Sequence, residues 1–333
     1  MTLSAAVAAL AAGDFTSLHA VCTAAGLQVG MPAAGIIQIG VPEASAHSAS
    51  APSLLLSVGV HGDETAPIEL LAGVLQSLSE QPLQLRVNLL VVVGNLAAIA
   101  QAKRYVEADL NRLFRHQQSA LADTVEAPRA SAIMAATSDF FARARGPRWH
   151  LDLHTAIRPS LYPTFAIIPD AIAANDKRAL ADLLGQAGIA AVVLNPTSAG
   201  TYSAFTAEYK KAISATVELG QVSALGDNDV GVFDAMAATL SGLLLQGKFP
   251  PAVPATMPIK FLVAQEIIKH SEAFHMHFDG ATRNFTALDY GSVIATDGAI
   301  VYRVTHAEEC VIFPNPNVRA GLRAGLMVVR AEW

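Results

Sequence analysis

The sequence has little cysteine and no long apolar run. Its two cysteines, Cys22 and Cys310, are too few and too far apart for a disulfide framework or a thiolate zinc site. No apolar run approaches the roughly 20 residues that a membrane-spanning helix needs. Gly-x-Ser-x-Gly, P-loop and Gly-x-Gly-x-x-Gly fingerprints are also missing, which argues against serine hydrolases and nucleotide-binding enzymes. We therefore expect no membrane partner and no disulfide scaffold.

Positive charge is scarce and scattered. The chain has 22 Lys and Arg against 28 Asp and Glu, a net charge of −6, and no basic block. Because nucleic-acid binding needs a basic patch, no nucleic-acid partner is expected. The first Lys or Arg is Arg86, so the Ala-rich stretch 5–12 lacks the basic start of a secretory signal. We expect a surface helix there and a cytoplasmic protein.

Apolar, β-branched segments alternate with helical patterns over the first 250 residues. This alternation predicts an α/β fold with a mixed, mostly parallel sheet flanked by helices. The predicted strands are residues 35–40, 54–60, 87–93, 149–154, 164–168, 190–194 and 215–220. The predicted helices are residues 67–78, 131–143, 171–187 and 228–245.

The composition changes near residue 250. At 333 residues, the chain is long enough for one large domain and a smaller one. Four prolines within residues 249–258 predict a linker. The short alternating segments beyond it, separated by turn signals, predict a small all-β domain. The expected division is residues 1–250, a linker at 249–258, and a β domain at 259–333.

His61 and Glu64 stand between an apolar strand and a helical stretch. A buried strand that ends on His, with Glu three residues later, can aim both side chains at one point above the sheet edge. His154, at the carboxyl end of another predicted strand, is the candidate third ligand, because ligands bind at that edge of α/β sheets. Two histidines and one carboxylate leave zinc an open position, which is typical of catalytic sites.

The strand that carries His154 has an unusual polar face. His150, Asp152 and His154 point to one side of it, because side chains alternate along a strand. Buried polar groups are costly unless they are paired or serve a site. Asp152 can accept an N–H from a ligand histidine, as groups behind metal ligands commonly do. The alternative is that these side chains are hydrogen-bonded core residues.

Glu218 is another acid inside an apolar strand. One interpretation is an edge-strand glutamate that faces water. The other is a general base, which takes a proton from the attacking water and passes it to the leaving amine. The segment 94–115 adds Arg104, Asn111 and Arg112, and its periodicity alone predicts only a solvated helix or loop.

Four motifs occur in an order that resembles the succinylglutamate desuccinylase and aspartoacylase family, which has the zinc-carboxypeptidase fold. They are His61-Gly-Asp-Glu64, Asp109-Leu-Asn-Arg-Leu-Phe114, Asp152-Leu-His-Thr155 and Val217-Glu-Leu-Gly220. Three longer strings look like the desuccinylase branch: Lys103-Arg-Tyr-Val-Glu107, Leu153-His-Thr-Ala-Ile-Arg158 and Phe313-Pro-Asn-Pro316. The resemblance covers the chain from about residue 53 to its end.

This resemblance implies one zinc ion per subunit, held by the two histidines and Glu64, with Glu218 as the base. It also implies that Arg104 polarises the scissile carbonyl, while Asn111 and Arg112 bind a substrate carboxylate. The implied reaction is cleavage of N-succinyl-glutamate to succinate and glutamate, the last step of the arginine succinyltransferase route of arginine breakdown.

The sequence leaves the role of Arg158 undecided and allows two other functions of the protein. Arg158 follows His154 by four residues and can meet a second substrate carboxylate, or it can be an ordinary surface residue. An aspartoacylase or another N-acyl amino acid deacylase would use the same machinery. A non-catalytic metabolite-binding or metal-binding protein on this fold is the alternative from a different class, and the presence of Glu218 and Arg104 argues against it. The sequence leaves the oligomeric state open.

Overall fold

The computed structural model describes residues 3–41, 50–115, 121–197, 200–249, 256–278 and 281–333. Its centre is a mixed twelve-stranded sheet with helices against it, and three further strands form a second sheet. The predicted α/β class is thereby confirmed. The helices are α1 Ala5–Ala11, α2 Thr16–Ala24, α3 Ala66–Glu80, α4 Leu96–Ala100, α5 Glu126–Ala142, α6 Ala174–Gln186, α7 Tyr202–Lys210 and α8 Asp234–Gln246.

The large sheet runs in the order β1-β2-β4-β3-β5-β8-β6-β7-β9-β15-β14-β11, and the small one in the order β10-β12-β13. The first eight strands are β1 Gln28–Ala33, β2 Ile36–Gly40, β3 Ser53–Val58, β4 Asn88–Val93, β5 Arg148–Ala156, β6 Thr164–Pro169, β7 Ala191–Asn195 and β8 Ile213–Gln221. The others are β9 Ile259–Ile268, β10 Phe274–Met276, β11 Thr286–Leu288, β12 Val293–Asp297, β13 Ile300–Arg303, β14 Glu309–Ile312 and β15 Arg323–Ala331.

The middle of the large sheet is parallel. Strands β4, β3, β5 and β8 pair side by side in parallel, and β6 is antiparallel to β8. Strand β3 is buried at every position, as expected where helices cover both faces of a sheet. The carboxyl ends of β3, β5 and β8 therefore meet at one edge, which is where the candidate residues lie.

The C-terminal strands extend the large sheet. Strand β9 pairs in parallel with β7, and β15, β14 and β11 follow as antiparallel neighbours. The composition change near residue 250 gave no sign of this continuity, because periodicity identifies a strand but not its partner. Of the predicted linker, residues 250–255 lie outside the described part of the chain.

The turn between β3 and α3 is built to bring His61 and Glu64 together. Gly59 has a φ of 64°, a conformation that favours glycine, and it starts the turn as β3 ends. Thr65 stands at the N-cap of α3, but its hydroxyl donates to the Ser223 carbonyl at 2.8 Å instead of capping the helix. The apolar side chains of α3 pack in the core, and this packing holds the turn that precedes the helix in place.

Among the described residues, no single helix is both long and apolar enough to cross a bilayer. Helices α1 and α2 reach that length and apolar character only together, and they bend by 107° at their junction.

Gly62 is the position in this turn where a side chain does not fit. A Cβ there would lie 2.3 Å from the backbone of Ala98 and Ile99. We expect Gly62→Ala to lower the free energy of unfolding by about 1–3 kcal/mol, because the neighbouring backbone atoms cannot move to make room for a Cβ.

Gly73, in the middle of α3, is the matched control, because nothing lies within 4 Å of such a Cβ there. Gly73→Ala should raise the free energy of unfolding by about 0.5–1 kcal/mol. Urea denaturation of both variants measures the two changes. Equal stabilities would show that the turn is not tightly packed.

Candidate metal and catalytic site

Three predicted ligands converge at the carboxyl edge of the parallel strands. His61, Glu64 and His154 are all buried, and one ligand atom from each lies within 4.8 Å of the others. The convergence follows from the sheet, since β3 and β5 are parallel neighbours with Ser57 opposite Asp152. The turn after β3 and the end of β5 therefore face each other.

Glu64 is the centre of the cluster. Its Oε1 lies 2.8 Å from His61 Nδ1, and its Oε2 lies 2.7 Å from His154 Nδ1. The backbone N–H of Thr155 donates to Oε2 at 3.1 Å, and Arg104 Nη1 donates to Oε1 at 2.7 Å. Burial alone would raise the pKa of Glu64, but the two histidines hold that pKa well below its ordinary value. Glu64 is therefore ionised.

The other nitrogen of each histidine meets a second carboxylate. His61 Nε2 lies 2.9 Å from Asp109 Oδ1, and His154 Nε2 lies 3.0 Å from Asp152 Oδ2. Burial opposes the charge on the ring, yet Asp152 and Glu64 raise the pKa of His154 well above its ordinary value. Carboxylates placed in this way orient an imidazole and strengthen it as a metal donor.

Asp152 thus makes the contact that its predicted role requires, whereas Asp109 was missed. Asp109 precedes a short 3₁₀ turn, Leu110–Arg112, in an irregular segment without periodicity. The signal that was available is its place in the family motif with Asn111 and Arg112. Burial alone would raise the pKa of Asp109, but His61 and Arg112 hold it far below the usual range.

The donor set suits a metal ion. Both histidines present Nδ1 to the centre, and Glu64 supplies carboxylate oxygens. Imidazole and carboxylate donors are those of catalytic zinc sites, and only three protein donors converge here among the described residues. The cluster can therefore hold a metal ion and keep a coordination position for another molecule.

His150 belongs to the support of the site and not to the ligands. It is fully buried between Ser57 Oγ and Thr206 Oγ1, each 2.8 Å away from a ring nitrogen. Burial lowers the pKa of His150 to about 4, so the ring is neutral at pH 7. Ser57 also donates to Asp152 Oδ1 at 2.5 Å. For His150, the core interpretation of the polar face is the correct one.

Glu218 lies beside His154 on the neighbouring strand. The two residues are register partners in the parallel pair β5 and β8, so their side chains point to the same face. Strand β8 is interior, which excludes the interpretation of Glu218 as an edge residue facing water. Within the described chain, Glu218 Oε2 is buried and has no hydrogen-bond partner. Burial, and then the charge of Glu64, raise the pKa of Glu218 to about 7.

Arg104 connects the buried cluster with the opening of the site. Its Nη1 contacts Glu64, while 29% of its side chain is exposed. Its backbone carbonyl accepts from the Gly62 N–H at 3.1 Å, so the segment is fastened to the turn that carries His61. Although burial works against the charge of Arg104, Glu64 and then Asp109 raise its pKa above the ordinary value. The guanidinium is a fixed cation at the cluster.

Asn111 and Arg112 have different surroundings. Asn111 is buried, and its Oδ1 accepts from the backbone N–H of Tyr202 at 2.8 Å, at the start of α7. Its side-chain NH₂ is the donor that a carboxylate requires. Arg112 Nη1 donates to the Asn111 carbonyl at 2.8 Å, and its side chain is 37% exposed. Arg112 Nη2 lies 3.9 Å from Asp109 Oδ2, so Arg112 borders the cluster.

Arg158 is half-buried in the loop between β5 and β6. The C-terminal strands hold this loop in place. The Asn284 N–H donates to the Pro159 carbonyl at 2.9 Å, and the Leu161 N–H donates to the Asn284 carbonyl at 3.0 Å. The Asn284 side-chain carbonyl accepts from the Phe313 N–H at 2.8 Å. The loop after His154 is therefore fastened to the C-terminal region.

Comparison with known proteins gives consistent results for both parts of the chain. The succinylglutamate desuccinylase/aspartoacylase catalytic domain matches residues 50–244, and the AstE/AspA barrel-sandwich hybrid domain matches residues 258–331. The chain is similar to a succinylglutamate desuccinylase of Burkholderia thailandensis, with 44% identity over 83% of this chain and 79% of that protein.

Solved structures agree with the sequence comparison. A succinylglutamate desuccinylase of Vibrio parahaemolyticus has a TM-score of 0.83 and 30% identity, covering 92% of this chain and 89% of that one. The enzyme of Chromobacterium violaceum has a TM-score of 0.78 and 34% identity, covering 95% and 98%. With its buried His-Glu-His cluster and its matches along most of the sequence, the chain belongs to the succinylglutamate desuccinylase and aspartoacylase family of hydrolases.

Proposed function

We propose that the protein is a zinc-dependent amidohydrolase that cleaves N-succinyl-L-glutamate to succinate and L-glutamate. The observation that carries this proposal is the buried cluster of His61, Glu64 and His154, with Glu218 beside it in register. The names of the Burkholderia and Vibrio relatives support the choice of substrate. One zinc ion per subunit fits two imidazoles and one carboxylate better than magnesium or calcium, which prefer oxygen ligands.

The residues around the cluster have separate tasks in this reaction. A zinc ion held by His61, Glu64 and His154 would supply Lewis acidity to a water molecule and to the amide carbonyl. Glu218 takes a proton from the water as its oxygen bonds to the carbonyl carbon. Glu218 then gives that proton to the glutamate nitrogen as the C–N bond breaks. Arg104 donates hydrogen bonds to the carbonyl oxygen, where negative charge develops.

The substrate carries three carboxylates, two on glutamate and one on the succinyl tail. We assign Arg112, with the side-chain NH₂ of Asn111, to a carboxylate of the glutamate half, because the planar fork of arginine suits a bidentate carboxylate. We assign Arg158 to the tail carboxylate, from its place on the loop after His154. Asp152 orients His154 through the 3.0 Å contact.

The remaining assignments concern the chain and its setting. We propose a catalytic domain over residues 1–250 and a β domain over residues 259–333. The match to the family's catalytic domain ends at residue 244, and the match to its barrel-sandwich hybrid domain begins at residue 258. A cytoplasmic location and a place as the last step of arginine succinyltransferase catabolism also belong to the proposal. These two rest on composition and on the family resemblance.

The direct test is release of free amine from a panel of N-acyl amino acids, with and without zinc. The proposed function requires N-succinyl-glutamate to be the best substrate. Comparable efficiency on N-acetyl-aspartate would instead favour an aspartoacylase or a broader deacylase. Lack of turnover with every member of the panel would favour a protein that binds metabolites or metal without catalysis.

The metal is expected to depend on the buried histidines. His61→Ala and His154→Ala should lose most of the bound zinc, measured by elemental analysis of the purified protein, and should lose turnover. His275→Ala is the matched control, because His275 is exposed on β10, away from the cluster. The control should keep both zinc and activity. Full activity after exhaustive chelation would rule out the metal mechanism.

Glu218→Gln keeps the size of the side chain and removes the base. We expect kcat to fall by about 10²–10⁴, which is about 3–5 kcal/mol of activation free energy. Zinc content should stay normal, because Glu218 is not among the assigned ligands. Glu80→Gln, an exposed acid in α3, controls for the loss of one charge and should leave kcat unchanged. A folded Glu218→Gln protein without zinc would identify Glu218 as a ligand.

The arginines should separate the two halves of the substrate. In the wild type, N-succinyl-glutamate should exceed N-acetyl-glutamate in kcat/KM by at least about 10², because a site that places an arginine for the tail carboxylate loses a charge-assisted hydrogen bond when that carboxylate is missing. Arg112→Ala should weaken both substrates, whereas Arg158→Ala should reduce the preference between them. Kinetics of both variants on both substrates provide the measurement. If Arg158→Ala keeps the wild-type preference for N-succinyl-glutamate over N-acetyl-glutamate, Arg158 does not bind the tail carboxylate.

A further inference from the structure

A buried carboxylate holds the segment that follows Arg104. Glu126 is the first residue of α5 and is 1% exposed. Its Oε1 accepts from the Val106 N–H at 2.7 Å, and its Oε2 accepts from the Ala108 N–H at 3.0 Å. The Glu107 N–H between them lies 3.2 Å from Oε1 and 3.3 Å from Oε2. One side chain therefore binds three consecutive backbone N–H groups.

These hydrogen bonds keep Glu126 ionised. Burial alone would raise the pKa of Glu126, but the N–H groups of Val106 and Ala108 hold that pKa below its ordinary value. The Asn95 side-chain NH₂ also donates to Oε1, at 3.2 Å. Hydrogen bonds to a charged group are stronger than those between neutral groups. The carboxylate and the segment therefore stabilise each other.

The start of α5 is itself anchored at the edge of the parallel strands. Arg129, three residues after Glu126, donates to the Val93 carbonyl at the end of β4 at 2.6 Å. The Asn95 N–H donates to the Gly59 carbonyl, just after β3, at 2.7 Å. Glu126 therefore holds the segment against a fixed part of the fold.

The segment held by Glu126 joins two contacts of the candidate metal site. Only four residues separate Arg104 from Asp109, and none of them lies in a helix or strand. At one end Arg104 donates to Glu64, and at the other Asp109 contacts His61. Because the segment has no regular structure of its own, its conformation depends on the partners of its backbone groups. Glu126 supplies the partner for three of them.

We infer that Glu126 is a positioning residue of the reaction, which holds Arg104 where the carbonyl oxygen of the substrate gains negative charge. The inference rests on the proposed function of Arg104. A donor to a developing oxyanion is effective when the fold fixes it in advance, and a displacement of about 1 Å can cost about 10² in rate. Glu126 acts through the backbone of residues 106–108.

Glu126→Gln tests this role. The variant keeps the size of the side chain, but one acceptor oxygen becomes an NH₂ group that cannot accept from the backbone N–H groups. We expect kcat on N-succinyl-glutamate to fall by about 10- to 100-fold, with KM changed by less than about 3-fold. The split is expected because Arg104 stabilises charge that develops only in the transition state.

The matched control is Glu107→Gln, the same exchange of acid for amide in the same segment. Glu107 is exposed, and its Oε2 accepts one hydrogen bond, from the Val125 N–H at 2.9 Å, which an amide oxygen can also accept. The control should keep kcat within about 2-fold of the wild type. Thermal unfolding checks that both variants are folded. If Glu126→Gln does not fold, Glu126→Asp, which keeps the charge and withdraws it by one methylene, carries the same comparison.

A double-mutant cycle distinguishes positioning of Arg104 from a general loss of stability. If Glu126 acts through Arg104, the double variant Arg104→Gln/Glu126→Gln should have the kcat of Arg104→Gln alone, within about 2-fold. Two independent losses would instead multiply. Zinc content, measured by elemental analysis, should stay normal in Glu126→Gln, because the three assigned ligands do not contact Glu126.

The outcomes separate this inference from the proposed function. A wild type that cleaves another N-acyl amino acid and not N-succinyl-glutamate overturns the proposed substrate, and the same comparison on that other substrate decides the role of Glu126. A wild type without hydrolase activity overturns both. With an active wild type, the role of Glu126 is overturned by an unchanged kcat in the folded variant, by losses that multiply in the double variant, or by a loss that appears in KM or in zinc content.

Discussion

The burial of one carboxylate organises the site. Glu64 is 2% exposed, and an ionised carboxylate in such surroundings is unfavourable unless hydrogen bonds and opposite charges compensate it. The compensation comes from separate parts of the chain: His61 in its own turn, His154 and the Thr155 N–H at the end of β5, and Arg104 from the irregular segment before Leu110. The parallel pairing of β3 and β5 is what brings these donors to one point.

Acidic and basic side chains alternate around Glu64. Asp109, His61, Glu64, His154 and Asp152 form one chain of contacts, with each histidine between two acids. Each of these side chains is a hydrogen-bond partner of the next, so the loss of any one leaves a buried polar group without a partner. Such a chain is worth little as net stabilisation, because desolvation offsets much of the attraction. Its value is that each imidazole is held in one orientation.

Site residues on a predicted strand or directly after one could be identified from periodicity, whereas those in the irregular segment 94–115 could be identified only from the family resemblance. His154 and Asp152 were found because alternation along a strand assigns them to one face. Asp109 lies in a segment without periodicity, so only the family motif hinted at it. Asn284, which holds the loop after His154, lies among C-terminal strands whose position depends on the pairing of β9 with β7, and hydrophobic patterns do not encode such partners. The sequence therefore predicts the local structure of the site, whereas contacts from distant parts of the chain are seen only in the structure.

The pairing of β7 with β9 also affects how the protein is made. Strand β7 is bordered by β6 on one side and by β9 on the other, and α7, β8 and α8 come between β7 and β9 in the chain. During synthesis, the outer edge of β7 therefore stays open until β9 has left the ribosome. Its sequence, Ala-Val-Val-Leu-Asn, is apolar and β-branched, the kind of open edge that recruits strands of other chains. Pairing with β9 therefore covers an edge of β7 that a chain ending before residue 259 would leave open to strands of neighbouring molecules.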